Sequence, residues 1–198
     1  MAAEAASNAS LSDQDLVGRV AAGNGEAFGT IVERHQDRLY NTIYRLVGSA
    51  EDARDVLQDV FVKAFENLER FRGGSSLYTW LFRIAVNTSL SHRRKRRWVS
   101  LGAGGPDDAD PPGRPPLADP APSDPSDGVM AAETERLVQE AIDSLDAEHR
   151  TVVVLRDVQH CDYREIADIL DVPTGTVKSR LHRARLLLRE RLRPLLAG

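Results

Sequence analysis

Residues Asp162–Leu192 read DYREIADILDVPTGTVKSRLHRARLLLRERL. Ile166, Ala167 and Leu170 recur at helical intervals, and Val177, Leu181, Ala184 and Leu188 do so again further on. Between them Asp171, Val172 and Pro173 predict a tight turn, because proline cannot continue a helix yet opens one well. Such a pair is either a packing hairpin with a solvated charged face or a helix-turn-helix that reads DNA. The cations favour the second. Lys178, Arg180, Arg183 and Arg185 occupy the sides left open by the apolar stripe, starting near the helix N-terminus. A recognition helix enters the major groove by that end, where arginine and lysine reach guanine edges and serine reaches several bases. Thr174, Gly175 and Thr176 can offer backbone N–H groups and hydroxyls to a phosphate at the positive end of the helix dipole.

Across all 198 residues the formal net charge is -4, which on average argues against a general nucleic-acid binder. The charges are segregated, however. From Arg83 to Arg97 there are six cations and no carboxylate, and from Lys178 to Arg193 Glu190 stands alone against seven cations. The acid collects in Glu51–Asp59 and Asp107–Glu135. Local field governs the binding of a polyanion, so two basic patches predict two contact points. The one cysteine, Cys161, allows no intramolecular disulfide and no zinc framework, and it is read as a small buried hydrophobe in a reducing cytoplasm rather than a redox sensor. The start MAAEAASNASLSD lacks the basic and apolar regions of a signal peptide and reads as a floppy tail. No stretch approaches the roughly 18 consecutive apolar residues of a membrane span, so a soluble chain without membrane insertion is expected.

Helical periodicity also fills the first hundred residues. Ser12 and Asp15 predict a cap before Leu16, Val17 and Val20. Phe28, Ile31, Val32, His35, Leu39, Ile43, Leu46 and Val47 form a stripe ended by Gly48, with His35 at its core or boundary. Ser49 and Asp52 open the next helix, whose inner face reads Ala53, Val56, Leu57, Val60, Phe61, Ala64, Phe65 and Leu68. Gly73 and Gly74 break it, and Leu77, Trp80, Leu81, Ile84, Ala85 and Thr88 predict one more buried face. From Val99 to Val129 glycine, proline and aspartate replace the apolar pattern, and a segment with so little to bury is expected to stay an extended linker. Periodicity resumes at Leu137, Ala141, Ile142 and Leu145 and continues through Val152, Leu155 and Val158.

The helix LYTWLFRIAVNTSLSHRRKRR, Leu77–Arg97, is aromatic at one end and basic at the other. Trp80 is assigned to the core. Tyr78 and Phe82 lie off the main stripe beside the FRGGSS loop, where rings can stack on unpaired bases while cations follow the phosphates. A small pocket beside the Gly-Gly loop could hold one base swung out of its stack, and Asn87, one face along from Arg83, supplies a donor and an acceptor for it. The tract Arg93–Arg97 on its own reads equally as a solvated helix end.

FRGGSSLYTWLFRIAVN (71–87), with EDARDVLQDVFVKAFENLERF (51–71) before it and YREIADILDVPTGTVKSRLHRAR (163–185) after it, resembles the extracytoplasmic function (ECF) class of bacterial sigma factors in the sigma-70 family, more narrowly its sigma-E-like group. The resemblance implies an all-α fold of two small helical domains, a sigma region 2 bundle and a sigma region 4 helix-turn-helix, joined by a flexible linker. The expected division is a tail at 1–11, region 2 at 12–98, a linker at 99–129 and region 4 at 130–198. It implies binding to core RNA polymerase, to promoter DNA as duplex at the -35 element and as non-template single strand at the -10 element, and to an anti-sigma factor, often at the inner membrane. It implies that Phe71 and the loop Arg72, Gly73, Gly74, Ser75 and Ser76, with Tyr78, Arg83 and Asn87, capture a base of the -10 element. Arg93, Arg94, Arg96, Arg97, Gly175 and Thr176 then meet DNA phosphate, and Arg156, Lys178, Ser179, Arg180, His182 and Arg183 face the -35 element.

Asp52, Asp55 and Asp59, with Gln58 beside them, share one helix face. A metal site lacks a completing ligand, a solvated acidic face is the plain reading, and the resemblance favours a surface that docks on a coiled coil of the polymerase. Neither a cofactor nor enzymatic chemistry is expected, since no nucleophile motif, paired-metal carboxylates or phosphate loop occurs. A stand-alone helix-turn-helix regulator is the alternative function, and it leaves the aromatic helix unexplained. The chain departs from the family pattern at His160, near which a glycine is common, and at Cys161, near which an apolar residue is common. Its acidic linker is expected to mimic nucleic acid inside the polymerase.

Overall fold

The computed structural model describes residues 10–71, 73–102 and 125–196, and every regular element among them is helical. Helix α1, Asp13–Ala21, starts at a reciprocal capping box in which Ser12 and Asp15 satisfy each other's backbone N–H groups. Helix α2, Gly25–Val47, opens where Asn24 accepts from the Ala27 N–H at 3.2 Å and stops at Gly48, whose φ of 84° is readily adopted only by glycine. Helix α3, Ala50–Asn67, is capped by Ser49 and runs into a 3-10 turn at Leu68–Arg70. Helix α4 spans Leu77–Gly102 and α5 spans Pro125–Asp143. Both therefore extend into the expected linker 99–129, and its central residues 103–124 lie outside the described residues. Leu11, placed in the expected tail, packs on the core and its carbonyl accepts from Arg34 Nη2 at 3.0 Å, while residues 1–9 lie outside the described residues.

Helix α6, Ala147–Val153, continues as a π turn over Val154–Val158. Helices α7, Tyr163–Leu170, and α8, Thr174–Leu196, are the two arms of the helix-turn-helix. Asp162 caps α7, and the N–H groups of Glu165 and Arg164 hold its carboxyl below the usual carboxylate range. The turn residue Asp171 takes φ 53°, a left-handed conformation that aspartate tolerates. Ile166 and Ile169 carry the buried face of α7, so Ile169 takes a place that the sequence pattern assigned to Leu170. Val177, Leu181 and Ala184 are buried as the pattern predicts.

Helices α1–α4 enclose a core centred on Leu16, Ile31, Leu39, Ile43, Val56 and Val60, each at 0% exposure. Burying a side chain of this kind contributes about 1.5–3 kcal/mol. Two expectations are corrected here. Phe65 is 53% exposed, resting edge-on against Phe28 with ring centroids 5.0 Å apart. The buried arc of α4 runs through Leu77, Leu81, Phe82, Ala85, Val86 and Ser89, which places Phe82 at 0% exposure and turns Trp80 half outward. The arc is rotated because α4 packs on α2 and α3 and also meets α7.

The two halves share one apolar cluster rather than standing apart. Leu46 O, at the end of α2, accepts from Arg93 Nη1 at 2.7 Å and from Arg150 Nη1 at 3.2 Å. Arg150, only 2% exposed, also pairs with Asp143 Oδ1 at 2.9 Å, donates to Leu145 O at 3.0 Å and bonds Asp143 O. Arg45 reaches Gln139 and Glu135, each at 3.0 Å, and Arg38 reaches Gln159 O at 3.3 Å. The Arg38 guanidinium also lies 4.2 Å above the Tyr78 ring, whose hydroxyl is 4.0 Å from Cys161 Sγ. Burial pushes both the Tyr78 hydroxyl and the Cys161 thiol up from their ordinary pKa values. Both stay protonated near neutral pH.

Candidate nucleic-acid interface

Where α3 ends and α4 passes, a cavity of about 410 Å³ opens to the surface. Lys63, Asn67 and Arg70 line one wall, and Trp80, Ile84, Asn87, Thr88 and Ser91 line the other. Lys63 Nζ donates to Thr88 Oγ1 at 3.2 Å and Asn67 Nδ2 to Lys63 O at 2.8 Å, so two side chains of the rim are held in place. Asn87 is exposed, with a donor and an acceptor to offer. Phe71 leans on Trp80 with ring centroids 5.5 Å apart. A concave site with an aromatic wall, an amide and cations at the rim matches the chemistry of an unpaired base and its phosphate.

The residues predicted for this site divide. Asn87 lines the cavity, as does Trp80, assigned to the core by its spacing, while Phe71 is not part of the lining and packs on the Trp80 ring. Tyr78 and Arg83 turn away. Tyr78 sits under Arg38 beside Cys161, and Arg83 Nη2 donates to Asp168 O on α7. Phe82, read as a second stacking face, is core. Gly73 takes φ 70°, where only glycine is unstrained, and Gly74 is exposed. Ser76 caps α4, accepting from the Thr79 N–H at 3.0 Å, and Ser75 is half-buried. Arg72 lies outside the described residues.

The basic run divides in the same way. Arg93 holds Leu46 O and lies 3.6 Å from Asp143, while Arg96 pairs with Asp52, which also has His92 at 3.7 Å. Arg94 and Lys95 are exposed, and of Arg97 only the helical backbone is described. Trp98, which no sequence pattern singled out, is 76% exposed at the end of this run. Its only sequence signal is spacing, since it lies on the same helix face as Asn87 and Ser91.

On α8, Lys178, Ser179, His182 and Arg183 are exposed along one face. Lys178 Nζ and the Arg156 guanidinium both lie over the Tyr163 ring, at 5.7 Å and 4.9 Å. Arg156 also donates to Cys161 O at 2.8 Å, which ties it to the base of the motif. Arg180 pairs with Glu148 at 2.9 Å and Arg185 with Asp157 at 2.5 Å, so these two cations are partly neutralised. The Thr176 N–H bonds Pro173 O at 2.9 Å. Donors for a phosphate at this end would therefore come from Thr174 and Gly175, whose N–H groups have no partner within the helix. On α3, Asp55, Gln58 and Asp59 are exposed beside Val62 and Phe65, which are 51% and 53% exposed. Asp52 belongs instead to the Arg96 pair.

The chain thus joins a helical bundle with an open cavity on α3 and α4 to a helix-turn-helix with an exposed basic face. Residues 31–99 match the family model for sigma-70 region 2, and residues 135–188 match sigma-70 region 4. The chain is 36% identical over 197 residues to the ECF RNA polymerase sigma-E factor of Haemophilus influenzae, covering 94% of this chain and 98% of that one. It is 38% identical over 186 residues to the RNA polymerase sigma-H factor of Pseudomonas aeruginosa, covering 93% and 95%. Its fold is similar to that of CnrH in complex with the cytosolic domain of CnrY, with a TM-score of 0.66, 26% identity and coverage of 92% and 97%. It is also similar to the sigma factor RpoE bound to the anti-sigma factor NepR from Bartonella quintana, with a TM-score of 0.65, 28% identity and coverage of 84% and 96%. The chain belongs to the sigma-70 family, in its ECF class. That membership accounts for the aromatic helix, which a stand-alone regulator does not. Among the described residues no helix is long and apolar enough to cross a membrane.

Proposed function

We propose that this sigma factor recruits core RNA polymerase to promoters through three surfaces. Asp55, Gln58 and Asp59 on α3 dock on the polymerase. Lys178, Ser179, His182 and Arg183 on α8 read duplex at the -35 element, with Arg156 positioned behind them. Phe71, Trp80 and Asn87 capture a non-template base of the -10 element. The observation that carries the reading is the cavity itself, which puts ring, amide and cation around a space of about 410 Å³. Capture of exposed bases offsets unstacking, which costs a few kcal/mol per step. Strand opening then requires no catalysis by this chain. It works in the cytoplasm, restrained by an anti-sigma factor that in some settings holds it at the membrane.

The test is reconstitution. Purified chain and core polymerase are incubated with a library of genomic fragments, and discrete start sites absent with core alone are expected. Phe71→Ala with Asn87→Ala should abolish permanganate-reactive opening at those starts while upstream binding persists. Asp55→Arg with Gln58→Ala should reduce recovery of the chain on immobilised core without changing its helical content. Transcripts indistinguishable from those of core alone would overturn the reading.

A further inference from the structure

The face of α4 that forms the cavity wall does not stop at the cavity. At about 100° per residue, Trp80, Asn87, Ser91, Arg94 and Trp98 fall within roughly 60° of one another around the helix. Trp98 lies about 16 Å beyond Asn87 along the axis, at about 1.5 Å per residue. That is within reach of about five stacked nucleotides at 3.4 Å each. The other side of the same stretch is occupied, with Arg93 on Leu46 O and Arg96 on Asp52. The outward side presents Arg94, Lys95 and an indole 76% exposed. Trp is among the residues most buried on average, and a ring that large in water beside two exposed cations is complementary to a polyanion with planar apolar faces. Single-stranded nucleic acid has that chemistry; duplex conceals its base faces in the stack.

We propose that Trp98 is a stacking anchor for an unpaired base of the strand that runs from the cavity along α4, with Arg94 and Lys95 on the adjoining phosphates. The inference rests on the reading of the cavity as a base-capturing site. It adds a second aromatic platform to the first, so the strand is held at two rings with a cationic track between them. Base specificity resides at the cavity, and Trp98 contributes affinity without sequence preference, since every base has a stackable face.

The full-length chain labelled with 5-fluorotryptophan has two fluorine resonances, one for each tryptophan, and Trp98→Phe assigns them. Titration with single-stranded (dT)15 should shift the Trp98 resonance saturably, and a 15-base-pair duplex should not. By fluorescence anisotropy, Trp98→Ala should weaken (dT)15 binding by about 5-fold to 150-fold, the range for loss of one base–aromatic stack, and Trp98→Phe should restore most of it. The slope of log affinity against log salt should be unchanged in Trp98→Ala and about 0.7 smaller in Arg94→Ala, because only the second removes a phosphate contact from a single strand. No binding of (dT)15, an unshifted Trp98 resonance, an equal shift with duplex, or full affinity in Trp98→Ala would each overturn the proposal. If Trp98→Ala instead reduced recovery on core polymerase with (dT)15 affinity intact, the ring would be a protein contact and the proposal would fall. The transcription assay on the native chain separates these outcomes from failure of the sigma-factor reading itself.

Discussion

Arg150→Ala removes a guanidinium that joins the two halves of the molecule. Arg150 Nη1 lies 2.9 Å from Asp143 Oδ1 and 3.2 Å from Leu46 O, and Nη2 lies 3.0 Å from Leu145 O and also bonds Asp143 O. Breaking a buried ion pair from one side costs about 3–5 kcal/mol, because the other charge and its acceptors lose their partner. Here the lower end applies. The Asp143 side chain is 35% exposed, and it keeps Gln139 Nε2 at 3.1 Å and Arg93 at 3.6 Å. A loss of about 3 kcal/mol corresponds to roughly 6–12 °C in melting temperature for a chain of this size, at about 2–4 °C per kcal/mol. Circular dichroism melts of native and variant chain measure it. Small-angle scattering of the folded variant should also report a larger radius of gyration, since the bond to Leu46 O crosses between halves. Arg150→Lys, which retains charge but reaches fewer acceptors, should fall between. A midpoint within about 3 °C of native, with unchanged dimensions, would refute the assignment of Arg150 as the pin between the halves.

Two further outcomes follow from local geometry. His160 takes φ 58°, the left-handed region in which a Cβ is strained, so His160→Gly should raise stability by about 0.5–1 kcal/mol in urea unfolding, and a lowered midpoint would contradict this. Burial pulls the pKa of His35 below its ordinary value of 6.5 against the opposing pull of Asp13, with Arg34 and Arg38 adding to the decrease. The unfolded chain therefore takes up the proton first, so stability is complete above about pH 6.5 and falls as the pH drops below it. Unfolding midpoints at pH 7.5 and 5.5 should show this loss, and His35→Gln should reduce it; equal acid loss in the variant would remove His35 as the cause.

The helix-turn-helix was legible because its signals are local: a proline-opened second helix, an apolar stripe of period 3.6 and cations on the remaining faces. The acidic face of α3 was legible for the same reason, except at Asp52, which Arg96 claims from forty-four residues away. The rotation of α4 was not legible. Its apolar residues cover most of the circumference, so periodicity alone assigned Trp80 inward and Phe82 outward, whereas the structure buries Phe82 and leaves Trp80 half-buried at the cavity. The left-handed conformation of His160 was not legible either, since only the backbone dihedral gives it.

What the amino-acid order determined by itself is the set of helices, their caps and breaks, and the presence of two basic regions on an acidic chain, because capping bonds and helical faces depend on neighbours a few residues apart. Only the tertiary structure decided which cations face outward. Arg83, Arg93 and Arg150 are as basic as Arg94 in sequence, yet each is drawn to a backbone carbonyl at the junction of the two halves. That choice depends on which acceptors distant helices bring within 3.5 Å or less, a quantity set by packing and absent from any local pattern.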